Sequence, residues 1–189
     1  KNIILFWTAS FPHKLFRWCG NLHSRHMNIA SGVENLDFLA LTDHSNSFDN
    51  ADSASITDGS MSEEWTEGHE LAQKYTTDDF VGLFGYEMTW SNGLGHMNTF
   101  NTEGFQSRTQ TEFSTYSTAL QNYYAALKTA PQSISQFNHP GTTFGDFSDF
   151  AHYDEEIDKL ITTIEVGNGE GAIGSSGYFP SYEYYQRAL

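Results

Sequence analysis

Histidine and carboxylate side chains recur in five short segments of this sequence: Asn21-Leu22-His23-Ser24, Thr42-Asp43-His44, Tyr86-Glu87-Met88, Gly95-His96-Met97-Asn98 and Asn138-His139-Pro140-Gly141. Imidazole nitrogens and carboxylate oxygens are ordinary donors to zinc, manganese and iron. Several of them in one pocket can hold cations that acidify a water for attack on an ester. A single histidine is more often a hydrogen-bonded structural residue than a ligand. What joins the five segments is position, since each reads as the end of a strand, and α/β folds gather side chains from strand ends into one pocket.

The elements that must deliver these side chains can be read from the hydrophobic pattern. Residues 36–41 are apolar but for Asp37 and lead to Asp43 and His44; residues 80–86 lead to Glu87, and residues 134–137 to Asn138 and His139. Between them, Ser60-Met61-Ser62-Glu63 has the form of a capping box and predicts a helix to about Tyr75, with Trp65, Leu71, Ala72 and Tyr75 inward. Residues 116–130 give the clearest helical pattern, with Tyr116, Ala119, Leu120, Tyr123 and Leu127 on one face and Pro131 beyond the end. A further helix is expected over 154–160, a strand over 161–166, and a last helix opening at Pro180-Ser181. Residues 2–7 suit a first strand, and the Ser/Asn/Asp/Gly-rich stretch 45–60 a long loop over the strand ends. Gly167-Asn168-Gly169-Glu170-Gly171 reads as a flexible loop without the form of a nucleotide loop. His13 reads as structural or exposed, and His69 as a surface or packing residue rather than a ligand. Strands alternating with helices point to an α/β fold.

In these motifs, and in their order, the chain resembles the PHP (polymerase and histidinol phosphatase) metallohydrolases. The resemblance rests on Gly20-Asn21-Leu22-His23-Ser24, on LDFLALTDH from Leu36 to His44, on Gly85-Tyr86-Glu87-Met88-Thr89-Trp90, on Gly95-His96-Met97-Asn98 and on Asn138-His139-Pro140-Gly141. It implies a distorted (β/α)7 barrel over residues 20–189, with residues 1–19 a lead segment. It also implies two or three divalent metal ions, zinc, manganese or iron, and hydrolysis of phosphate mono- or diesters by a metal-activated hydroxide. His23 and Glu87 would hold one metal, His96, His139 and Glu87 a second, and His44 belongs to a third. Three departures stand out. The family's first motif is His-x-His, whereas this chain reads His23-Ser24-Arg25-His26, so either a bulge at Arg25 turns His26 back toward the metal or His26 is not a ligand. Little room is left for a helix between Gly32 and the second strand. The family's closing Asp-x-His is absent, which leads to the expectation of a barrel incomplete at its C-terminus and of a fragment of a longer protein.

The chemistry of individual residues fits that picture. A carboxylate can bridge two cations, and Glu87 has Gly85 behind it to leave them room. Asp43 could act from behind a ligating histidine or simply cap a turn. Arg108, one of only 9 Lys and Arg residues, could clamp a phosphate by its fork geometry, against the plainer reading of a surface arginine. With 24 Asp and Glu and a formal net charge of −15, the chain has no basic face for non-specific nucleic-acid binding. A phosphorylated small molecule or nucleotide is the expected substrate. No apolar run is long enough for a transmembrane segment. The sole cysteine, Cys19, permits no internal disulfide, and the low Lys/Arg content with abundant Asn, Ser, Thr and Gly leans toward an extracellular rather than a cytoplasmic location. With no Gly-x-Ser-x-Gly elbow, acyl-enzyme chemistry has no support. Hydrolysis of another ester or amide, or a degenerate binding module without metal, are the competing readings.

Overall fold

A computed structural model describes residues 6–9, 24–25, 27–33, 36–169, 178–180 and 182–188. Its framework is a six-stranded sheet whose strands lie side by side in chain order: β1 (Phe6–Ala9), β2 (Phe38–His44), β3 (Val81–Thr89), β4 (His96–Phe100), β5 (Ile134–Asn138) and β6 (Ile161–Ile164). β1, β2 and β3 run parallel, β4 is antiparallel to both its neighbours, and β6 is parallel to β5. A short ribbon of β7 (Gly167–Gly169) and β8 (Tyr178–Pro180) forms a second sheet. The longer helices are α1 (Glu63–Tyr75), α2 (Tyr116–Lys128) and α3 (Tyr182–Ala188). No helix among the described residues is long and apolar enough to cross a membrane.

This is not the (β/α)7 barrel of PHP type expected from the resemblance. The sheet is open and mixed, with β1 and β6 as its two edges. The physical reason lies between β3 and β4. Only residues 90–95 separate them, too few for the helical crossover that a parallel strand needs, so the chain turns back on itself. Gly95 takes φ +140° at the end of that turn, where a Cβ would sit 2.3 Å from Cε1 of Phe147. Consequently His96 does not end a strand; it opens β4 and lies beside Thr89, the last residue of β3.

Ser62 caps α1 by accepting the Trp65 N–H (3.1 Å), and Glu63 and Glu64 occupy the positive end of the helix while Lys74 occupies its last turn. The helix opens two residues after the expected Ser60. Its buried Trp65 packs on Phe105, Phe84, Phe48 and Tyr86 at ring separations of 5.2, 5.4, 5.6 and 5.8 Å. On α2, Ala119, Leu120, Tyr123 and Leu127 are buried as the periodicity predicts, whereas Tyr116 is 48% exposed. The fully buried Tyr123 donates its hydroxyl to Tyr86 (3.0 Å) and hydrogen-bonds Thr99 (2.8 Å). Both helices therefore cover the sheet face that carries Phe84 and Tyr86. By strand alternation Gly85, Glu87 and Thr89 face the other way.

Upstream of the short stretch between Gly32 and β2, Ser24, Arg25, Met27 and Asn28 are helical and lead into a π-turn at Ile29–Val33. A strand bulge at Arg25 therefore has no strand to act in. After β5, Phe147–Phe150 makes a turn of the left-handed hand, with φ of +58°, +55°, +63° and +55°. Each such non-glycine residue costs about 1–2 kcal/mol. Burial of Phe147 against Phe137 (4.4 Å) and Phe150 against Phe137 (5.1 Å) offsets this. Arg187 of α3 bonds Asp146, just before the turn (3.0 Å), and Asp149 within it.

Candidate metal centre

The open sheet still gathers the candidate donors at one edge. Parallel pairing sets His44 of β2 beside Glu87 of β3, the β3–β4 reversal sets His96 beside Thr89, and the antiparallel β4–β5 pairing sets His96 beside Asn138. Donor atoms of Glu87, His96 and His139 all lie within 4.8 Å of one another. His96 Nδ1 is 3.0 Å from His139 Nε2 and 3.8 Å from Glu87 Oε1, and His44 Nε2 is 3.0 Å from Glu87 Oε2. Two donors at ~2.1 Å from a tetrahedral cation stand ~3.4 Å apart. The observed separations straddle that value, so the two imidazoles and the carboxylate fit a divalent cation after small adjustments. Mixed nitrogen and oxygen donors suit zinc, manganese or iron better than magnesium or calcium.

Glu87 is 1% exposed. Burial drives its pKa up, but the hydrogen bond from His44, the charges of His96 and His44 and the hydrogen bond from Asn138 outweigh it and hold the carboxyl below its ordinary range. A relay of donors points at it: Thr163 Oγ1 donates to Gln136 (3.3 Å), Gln136 Nε2 to Asn138 (2.9 Å), and Asn138 Nδ2 to Glu87 Oε1 (2.7 Å). Every bond in that chain runs toward the carboxylate, so each polarises the next. His96 is held at about 4 by burial, with Glu87 opposing and His139, His44 and Arg108 assisting. At neutral pH the site thus presents an ionised Glu87 and a neutral His96, the forms in which carboxylate and imidazole bind a cation.

The other sequence candidates are placed as follows. Asp43 precedes His44 and so falls on the opposite face, where its charge helps to raise Glu64 to about 7 behind the larger effect of burial. It is not brought into the cluster. Arg108 is half-buried, donates from NH1 to the Thr89 carbonyl (2.6 Å) at the end of β3, and its charge reaches His96. His23 and His26 lie outside the described residues. Two contributors escaped the sequence reading. Glu165, just past β6, bonds His139 Nδ1 at 2.7 Å. Phe144 stacks on His96 (4.9 Å) and His139 (4.7 Å). Glu165 follows the apolar-ended run Ile161-Thr162-Thr163-Ile164, the same strand-end signature as Glu87; Phe144 carried no signal.

No known protein family matches the chain, and no curated protein is significantly similar to it.

Proposed function

We propose that this protein is a metal-dependent hydrolase of phosphate mono- or diesters, of the PHP kind that its motifs resemble. The observation that carries the reading is the convergence of Glu87, His96 and His139, from three different strands or strand ends, within 4.8 Å. Glu87, His96 and His139 would hold a divalent cation there, and it would supply Lewis acidity toward a phosphoryl oxygen and acidify a water. Glu87 would contribute the negative charge that retains the cation, and the hydrogen bonds from His44 and, at the end of the relay, Asn138 favour its ionised form. His96 and His139 contribute neutral nitrogens. Arg108, tethered beside His96, offers its fork to phosphate oxygens, which in an acidic chain need a local cation. His44, bonded to Glu87 at 3.0 Å, would add a further nitrogen donor beside the same carboxylate.

The experiment is a panel of aryl phosphate mono- and diesters and of carboxylic ester and amide substrates, assayed with zinc or manganese and then with a chelator. Phosphoester turnover that disappears on chelation and returns with metal is expected. Turnover of carboxylic esters or amides alone would reassign the substrate class, and bound metal without any hydrolysis would leave a binding module.

A further inference from the structure

The backbone at His139 is unusual for a residue bearing a side chain, with φ +29° immediately after β5. Both polar groups of this residue that face β6 meet one atom. Glu165 Oε2 accepts the His139 backbone N–H at 2.9 Å and the ring Nδ1–H at 2.7 Å. Glu165 is itself fixed, because its backbone N–H donates to the Phe137 carbonyl (2.8 Å), two residues before His139. The ring's other nitrogen, Nε2, points at His96 Nδ1 (3.0 Å), and Phe144 packs against the ring at 4.7 Å.

A carboxylate only accepts, so the proton of a neutral His139 must reside on Nδ1. The lone pair is then on Nε2, the atom that belongs to the cluster. We infer that Glu165 is the positioning residue of His139: it selects the Nδ1–H tautomer, fixes the ring plane, and holds the left-handed backbone that aims the ring at Glu87 and His96. The role of Nε2 as a donor to metal rests on the proposed function; the tautomer assignment does not. Glu165 acts through His139, since its Oε2 is committed to two donors. It also gives the edge strand β6, linked to the cluster through Glu165 just past its end and through the Thr163 relay, a part in the chemistry. Carboxylates behind ligating histidines raise metal affinity by orienting the ring and increasing its basicity.

The test uses the whole chain, metal-free and with zinc. Long-range proton–nitrogen NMR of the imidazoles, with the His139 signals identified by their loss in His139→Ala, reads the tautomer without metal; competition with a chromophoric chelator reads zinc affinity. Wild type should show a protonated Nδ1. Glu165→Ala should shift His139 toward the Nε2–H form and weaken zinc roughly 10–100-fold. Glu165→Gln, which keeps an acceptor oxygen but loses the charge, should retain the tautomer and lose less affinity, and serves if the alanine variant fails to fold. Glu155→Gln, on the exposed surface, should change neither. An unchanged tautomer and affinity in Glu165→Ala, or in Glu165→Gln an affinity equal to wild type with unchanged nitrogen shifts, overturns the inference. If wild type binds no zinc, the metal reading fails while the NMR result still decides the role of Glu165.

Discussion

Replacing Glu87 by glutamine tests the centre with the least disturbance of packing. The two side chains have the same shape, and Glu87 is 1% exposed among well-packed neighbours. Asn138 Nδ2 demands an oxygen at the Oε1 position (2.7 Å), so the new amide nitrogen must face His44 Nε2, where Oε2 stood at 3.0 Å. His44 can answer by moving its proton to Nδ1. The charge-assisted bond becomes a neutral one, a change of about 1–2 kcal/mol, set against relief from burying a charge. Stability of the metal-free protein should therefore change little. Metal binding should not. A zinc site of four ligands is worth ~10–16 kcal/mol, or ~3–4 kcal/mol per ligand, so loss of the carboxylate weakens zinc by roughly 10²–10³-fold. At zinc one hundred times the wild-type Kd, linkage stabilises wild type by about 2.7 kcal/mol, which raises Tm by ~5–10 °C in a domain of this size. With Kd some 300-fold weaker the variant gains ~0.2 kcal/mol, below 1 °C. Thermal melts with zinc and with chelator measure both numbers. A zinc-induced shift in Glu87→Gln equal to that of wild type would falsify the assignment of Glu87 as a ligand.

Two further outcomes follow from the fold and the electrostatics. Gly85→Ala places a Cβ 2.3 Å from the Thr99 carbonyl oxygen across the β3–β4 pair, so it should destabilise the protein by at least ~2 kcal/mol in urea unfolding; full stability would mean the strands are not registered as described. In metal-free protein, His96 held at about 4 rather than its ordinary 6.5 means the unfolded chain binds the extra proton, so stability is lost as pH falls from 6.5 toward 4, by roughly 3 kcal/mol. Glu64, raised to about 7 from 4.5 chiefly by burial, works in the opposite direction, because the folded chain gains its proton first as pH falls. Glu64→Gln should therefore make the acid-side loss steeper than in wild type, and an identical pH profile for the two proteins would refute this balance.

The helices and the strand ends were legible because each rests on a local pattern. Ser62-Glu63-Glu64 with the buried Trp65 and Ala72, and Ala119-Leu120-Tyr123-Leu127, declare their period within one element. Glu87 was legible because a strand buried on both faces leaves a continuous apolar run with an abrupt polar end. Direction and closure were not, since they depend on what pairs with what. Ser91-Asn92-Gly93 is a turn signal, and followed by the His96–Phe100 strand it specifies a hairpin; taking His96 as a strand's end rather than its start concealed the antiparallel β4 and with it the open sheet. The left-handed turn at Phe147–Phe150 carries no glycine to announce it. Glu165 was hidden because the strand read as running on to Val166, whereas it stops at Ile164 and leaves Glu165 as the first residue past its end.

The strictly sequential strand order has a consequence for how the centre is acquired as the chain is made. Glu87 and His96 meet across a tight hairpin, a contact that closes on itself without waiting for distant sequence and at little loop-closure cost. His139 arrives 43 residues after His96, and Glu165 a further 26 residues later. Synthesis from the N-terminus thus presents a two-donor half-site first, completes the triad when β5 docks on β4, and only then delivers the carboxylate that orients the last imidazole. A ligand set assembled in that order is selective for cations late rather than early, because the donor that completes the set and the group that aims it are both translated after the pair that can first catch an ion.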